Sequence, residues 1–233
     1  ADAVAKYPTD LAYLNLGSFY QEQNRPEEAE VFYKKVIGMK PDHEGAHFNL
    51  GNIYFSVKDW EKAKKEFLWV IKNSDNDTQK YESLINLGVI YKGNNDIEKS
   101  LEFYNLAKEL RPDSPEVYNN IGNIYYKQDR LDLALKYYVK SIEIDPDFAI
   151  AHYSLGNLYY RKNDKIMALT EFKKMIELSP DHANSYKNAG VIYFELNNNP
   201  KALEYLKKSL ALAPDQTGKE DIKVLIEKLK NER

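Results

Sequence analysis

The sequence predicts an all-α solenoid: six tandem helical hairpins followed by one terminal helix. Three observations predict it. A glycine followed three residues later by tyrosine recurs as Gly17/Tyr20, Gly51/Tyr54, Gly88/Tyr91, Gly122/Tyr125, Gly156/Tyr159 and Gly190/Tyr193, so that successive glycines stand 34, 37, 34, 34 and 34 residues apart. A period of this length marks stacked repeats rather than one globular core. Within each copy the large apolar positions are three or four residues apart, which gathers them on one helical face. Finally, 13% aromatic residues with only 10 glycines among 233 residues is a helical, tyrosine-packed composition.

Numbering each copy from the residue seven before its glycine makes the glycine position 8 and the tyrosine position 11. Position 4 is then Tyr13, His47, Leu84, Tyr118, His152 and Tyr186, and position 7 is Leu16, Leu50, Leu87, Ile121, Leu155 and Ala189. Positions 4, 7, 8 and 11 share a face that must be buried, tyrosines included. Position 20 is Ala29, Ala63, Ser100, Ala134, Ala168 and Ala202; position 24 is Tyr33, Phe67, Tyr104, Tyr138, Phe172 and Leu206. Position 32 is Pro41, Pro112, Pro146, Pro180 and Pro214, with Asp75 the exception. The glycine and the alanine let the two helices of one repeat approach closely.

The copies run 10–43, 44–80, 81–114, 115–148, 149–182 and 183–216 within a single domain spanning 1–233. Residues 1–9 read as the tail of a preceding repeat or as an N-terminal cap. Polar, breaker-rich stretches such as Asn94-Asn95-Asp96 and Asn197-Asn198-Asn199-Pro200 separate the two helices of a copy, and Pro26 and Pro200 suit the start of a second helix. The join from Lys72 to Lys80 holds three extra residues and lacks the proline, so it is either a longer loop or an extended helix. Within 217–233, Ile222, Leu225, Ile226 and Leu229 fall on one face of an amphipathic capping helix.

The spacing aromatic-x-x-Leu-Gly-x-x-Tyr, then Ala-x-x-x-Phe/Tyr, then Pro, resembles the tetratricopeptide repeat, and it does so six times from Asp10 to about Gln216. Ser100, Leu206, Ala189 and the irregular join depart from the pattern. The resemblance implies a right-handed superhelical solenoid of helix-turn-helix units whose first helices line a concave groove. It also implies a scaffold or peptide-binding role without catalysis.

Composition narrows the partners. A net charge of −3 offers no basic footprint for nucleic acid. No apolar run approaches the roughly 20 residues of a membrane span, so direct membrane insertion is not expected. The absence of cysteine removes disulfides and thiolate metal sites and suits cytoplasm and periplasm alike, with the cytoplasm preferred. His43-Glu44-Gly45-Ala46-His47 fits the H-E-x-x-H pattern of zinc peptidases, which needs both histidines on one helical face. Here His47 holds packing position 4 and His43 follows a Pro-Asp turn as His182 does, so the repeat accounts for both. No metal, cofactor or catalytic group is expected, and the chain reads as a non-enzyme.

The remaining chemistry is recognition by the other face of the first helices. Position 6 supplies Asn15, Asn49, Asn86, Asn120 and Asn188, and position 9 supplies Asn52, Asn123 and Asn157. Asparagine is unfavourable inside a helix by a few tenths of a kcal/mol against alanine, so its recurrence asks for a reason. Its amide can donate to and accept from a peptide backbone; alternatively it bonds a neighbouring helix. Phe55, Tyr126, Tyr153 and Tyr160 adjoin the row, with Lys127 and Arg161 at its edge. Position 5, which reads Leu14, Phe48, Ile85, Asn119, Tyr153 and Lys187, excludes the lysine set that clamps chaperone C-terminal carboxylates. The expectation is a non-catalytic adaptor that binds a protein or peptide segment in the groove, centred on repeats four and five. The alternative is a self-assembling scaffold, a homo-oligomer joined through repeat ends or groove.

Overall fold

In the computed structural model, which describes residues 9–215 and 218–231, every repeat is a pair of helices joined by a tight turn. The chain divides after Pro112 into two compact units. The first holds α1 (Asp10–Glu22), α2 (Pro26–Met39), α3 (Glu44–Ser56), α4 (Trp60–Asn73), α5 (Asp77–Gly93) and α6 (Ile97–Leu110). The second holds α7 (Pro115–Lys127), α8 (Leu131–Ile144), α9 (Ala149–Arg161), α10 (Lys165–Leu178), α11 (Ala183–Glu195), α12 (Asn199–Leu212) and α13 (Lys219–Asn231). Of the expected tail or cap at 1–9, residues 1–8 lie outside the described residues, as do 216–217 and 232–233.

One backbone device makes all six turns. Asn24, Lys58, Asn95, Asp129, Asn163 and Asn197, each at position 15 of its repeat, have φ between 55° and 62°. This left-handed conformation is tolerated by asparagine and aspartate and strained for other side chains, which is why five of the six are of those types. In four of the six repeats the second helix then starts on a side-chain cap: Asp59, Asp96, Asp164 and Asn198 accept from the backbone N–H three residues on. First helices are capped differently. Thr9 and Asn76 use side-chain oxygens, while His43 and His182 accept through ring Nδ1.

Inside each hairpin the glycine of position 8 faces the side chain of position 24. A Cβ built on Gly122 would lie 2.6 Å from Tyr138 Cε1 and 2.7 Å from Cδ1, so the ring occupies the space that glycine leaves. The glycine therefore admits a ring, beyond merely letting backbones approach. Tyr33, Phe67, Tyr104, Phe172 and Leu206 are fully buried at position 24, as are the five alanines of position 20. Ser100, the exception at position 20, is also fully buried and donates its hydroxyl to the Gly88 carbonyl at 2.7 Å. That bond removes the penalty of an unpaired buried hydroxyl and makes serine an acceptable alanine.

The position-11 tyrosines correct a simple expectation. Tyr54 and Tyr193 are buried, but Tyr20, Tyr91, Tyr125 and Tyr159 are half-buried. Four of the six lean on an aromatic at position 23 of their own repeat: Tyr20 on Phe32, Tyr91 on Phe103, Tyr125 on Tyr137 and Tyr193 on Tyr205, with centroids 5.1–5.4 Å apart. Repeats two and five carry Glu66 and Glu171 at this position, paired with His47 and His152.

The join is taken up by helix: α5 starts at Asp77, ahead of position 1 of its repeat, and has 17 residues where the other first helices have 13. Asn76 caps it, accepting from Thr78 and Gln79, and the buried Ser74 hydroxyl donates to Glu44. At the far end, α13 buries Ile222, Ile226 and Leu229 in the cluster formed by Ala189, Ile192, Ala202 and Leu206, which completes the apolar cover of α11 and α12.

Candidate functional site

The position-9 asparagines divide into two groups, and position 24 of the same repeat decides which. In repeat four Asn123 Oδ1 accepts from the hydroxyl of the buried Tyr138 at 2.8 Å. In repeat one the Tyr33 hydroxyl donates to Gln21 Oε1 at 2.9 Å and lies 3.3 Å from Ser18 Oγ, with Asn49 as a further partner. Where position 24 is phenylalanine there is no hydroxyl to satisfy. Asn52 then accepts from Asn86 Nδ2 at 3.3 Å, and Asn157 accepts from Asn188 Nδ2 at 3.0 Å. Each of these bonds joins the first helices of consecutive repeats, so the neighbouring-helix role holds for both pairs. Each pair also keeps one amide N–H₂ on position 9 and acceptor capacity on position 6 outside that bond.

Around the Asn157–Asn188 pair the surface sinks into a cavity of about 210 Å³ lined by Asn157, Tyr160, Asn188 and Val191. Tyr160 is 39% exposed, and its hydroxyl donates to Glu195 at 2.7 Å. That bond to a carboxylate, together with partial burial, pushes the phenol up to about 12, so it stays protonated and held in place at neutral pH. Val191, valine at position 9, is the lining residue that the asparagine pattern did not single out. Position 9 of repeat six faces Leu206 at position 24, which asks for no polar partner.

The other expected site residues have varied surroundings. Arg161 is not a free edge cation: it donates to the Tyr126 carbonyl at 2.8 Å, sits over the Tyr126 ring at 5.1 Å and pairs with Asp129 at 2.9 Å. Lys127 is exposed and Asn120 half-buried. Tyr153 meets His182 edge-on at 4.7 Å and Phe172 at 5.9 Å. Phe55 packs on Trp60 and Phe67 at 5.5 and 6.3 Å and stays half-buried, so its hairpin holds it in place while part of its ring remains accessible.

All four histidines have structural partners. His43 Nδ1 accepts from the Ala46 N–H at 3.2 Å, and His182 Nδ1 takes the Ser185 N–H at 3.3 Å. His47 and His152 are buried, each with Nδ1 2.6 Å from a glutamate, Glu66 or Glu171, and Nε2 2.9 Å from a carbonyl, that of Pro41 or Pro146. A carbonyl only accepts, so Nε2 carries hydrogen and each histidine–glutamate pair holds a further proton between Nδ1 and the carboxylate. The Glu171 hydrogen bond accordingly raises His152 above the ordinary histidine range. Among the described residues, no group of three or more His, Cys, Asp or Glu is gathered as a metal site requires, and no helix is long and apolar enough to cross a membrane.

Helical hairpins stacked with polar first-helix faces define an interaction scaffold. Family profiles match in agreement: a TPR repeat profile at 88–129 and 122–163, and tetratricopeptide repeat profiles at 11–43, 149–182 and 183–216. The chain belongs to the tetratricopeptide-repeat family, whose members bind proteins or peptides.

Among curated proteins it is similar to the tetratricopeptide repeat and J domain-containing co-chaperone DNJ1 of Fusarium oxysporum f. sp. lycopersici, with 32% identity over 66 residues. That match covers 28% of this chain and 13% of the co-chaperone. Among solved structures, pilF of Pseudomonas aeruginosa superposes with a TM-score of 0.75 at 18% identity, covering 96% of this chain and 97% of that one. The APC/C hetero-tetramer Cut9-Hcn1 superposes with a TM-score of 0.77 at 17% identity, covering 98% of this chain and 44% of the other. These structural likenesses concern the fold.

Proposed function

We propose that this protein is a non-catalytic adaptor whose repeats hold a peptide segment of a partner protein against their first helices. The candidate binding residues are Asn49, Asn52, Phe55 and Asn86 in the first unit, and Asn120, Asn123, Tyr126, Lys127, Tyr153, Asn157, Tyr160, Arg161 and Asn188 in the second. The observation that carries this reading is the cavity bounded by Asn157, Asn188, Tyr160 and Val191. It combines an amide pair able to bracket a peptide unit, an aromatic wall held by Glu195, and an apolar floor. The likeness to a co-chaperone that carries tetratricopeptide repeats supports the reading.

The test starts from peptides selected by display on the intact chain, followed by hydrogen exchange with and without the best of them. Added protection should concentrate in α9 and α11. Protection confined to the second helices would contradict this site.

A further inference from the structure

The second-helix side of repeats one and two carries a built pocket that the first-helix reading leaves unused. It lies between α2 and α4, with α3 as its floor, and has a volume of about 410 Å³, inside the roughly 300–1,000 Å³ range of ligand pockets. Its walls are Ile37, Leu50, Tyr54 and Trp69, and its rim carries Lys34, Lys62 and Lys65. Trp69 is stacked on the buried His47 with centroids 3.7 Å apart and planes 17° from parallel, so the aromatic wall is fixed rather than swinging. Lys62 Nζ stands 5.1 Å from the Tyr54 ring centroid. Glu66 is the one lining carboxylate, and it is committed to His47 at 2.6 Å.

The remaining charges leave a surplus of one sign. Lys34 is bonded to Glu30 at 2.6 Å and Lys62 to Asp59 at 2.8 Å, both partly exposed pairs, and Glu30 also accepts from the Tyr54 hydroxyl at 3.0 Å and faces Lys62, so two carboxylates stand against the three lysines. Lys65 is exposed and has no carboxylate partner among the described residues. The analogous grooves further along are less one-sided. Lys80 is offset by Glu109 in the groove between α4 and α6, and Glu204 sits beside Lys207 and Lys208 in the groove between α10 and α12. A cationic rim on a chain of net charge −3 is a local feature that opposes the overall charge.

We propose that this groove is a second docking site, and that its occupant is an acidic segment of a partner protein. The segment places one aromatic side chain against Trp69 and Tyr54, with flanking carboxylates on Lys65, Lys62 and Lys34. Apolar walls supply the burial, and the lysines select the charge of the neighbours and orient the segment.

Trp69 reports on its own pocket once Trp60, the other tryptophan, is replaced. In a Trp60→Phe background the probe is the capped pentapeptide acetyl-Glu-Asp-Phe-Asp-Glu-amide, followed by Trp69 emission at low salt. A saturable change is expected with this peptide. None is expected when the four acids are replaced by lysine or the phenylalanine by alanine. Lys65→Glu should weaken binding roughly tenfold, while Lys72→Glu, an exposed lysine on the same helix outside the pocket, should leave it unchanged. Both lysines are exposed, so each variant should keep the parent's helicity by circular dichroism. The paired change Asn157→Ala with Tyr160→Ala should leave the titration unaffected, which separates this site from the first-helix face. No saturable change, an equal response to the lysine peptide, or indifference to Lys65→Glu would each overturn the proposal.

Discussion

The Tyr138 hydroxyl donates to Asn123 Oδ1 at 2.8 Å, and through that bond a residue of the second helix decides what an asparagine of the first helix can offer a ligand. Where Phe67 and Phe172 replace the tyrosine, Asn52 and Asn157 turn to the next repeat instead. Tyr138→Phe should therefore free the Asn123 amide. It should also cost about 1 kcal/mol in denaturant unfolding, the usual size of one buried hydrogen bond. The side-chain amide resonance of Asn123 should move toward solvent-exposed values in the same variant, and an unmoved resonance would show that the bond is not formed.

Gly122 faces the same ring. A Cβ there would stand 2.6 Å from Tyr138 Cε1, closer than real contacts allow, so even Gly122→Ala must displace a fully packed side chain. The expected loss is about 1–3 kcal/mol, larger for Gly122→Leu. Thermal melts of the two variants should fall in that order. Unchanged melting would mean that the hairpin has room that its geometry denies.

The period, the hairpins and the buried glycine, alanine and aromatic positions were legible because each depends on residues three or four apart, repeated six times. The direction of each asparagine was not. Asn123 and Asn157 look alike in their own helix, and what separates them is Tyr138 or Phe172 fifteen residues further on. The cue lay in whether an asparagine at position 9 is followed by tyrosine or by phenylalanine at position 24. A second cue lay between positions 4 and 23, where His47 and His152 coincide with Glu66 and Glu171 while the tyrosines of position 4 coincide with aromatics. The cationic pocket was beyond reach in sequence, since it joins residues of α2, α3 and α4 whose neighbourhood only the packing defines.

Lys58 is the one turn residue that is neither asparagine nor aspartate, yet it holds φ 62°. Its left-handed backbone is strained by roughly 1 kcal/mol relative to residues suited to that region. Because Lys58 is exposed, Lys58→Asn should raise the midpoint of thermal unfolding without altering helicity. A lower midpoint would show that the lysine makes a contact that outweighs the strain.

His152 couples the fold to pH. Its folded-state pKa is raised, first by the Glu171 hydrogen bond, so its stabilisation is fully present below the unfolded value near 6.5 and is lost as pH rises through the higher folded value. His182 works in the opposite sense: burial lowers its pKa, so its contribution is lost as pH falls through the unfolded value. Unfolding followed from pH 5 to 9 should show His152→Gln more destabilising at pH 6 than at pH 9, and equal losses at both would remove the Glu171 pair from the account.

The expected centre at repeats four and five moves to the cavity that Asn157 and Tyr160 of repeat five share with Asn188 and Val191 of repeat six, and binding of a peptide there is tested most directly by the affinity of a display-selected peptide for two paired variants. Asn157→Ala with Tyr160→Ala removes one half of the amide pair and the aromatic wall, and should weaken binding by about 2 kcal/mol or more. Ser18→Ala with Gln21→Ala alters the matching positions of repeat one, where both side chains serve Tyr33, and should leave affinity within a few tenths of a kcal/mol. Equal losses in the two pairs, or no loss in either while helicity is intact, would contradict the account.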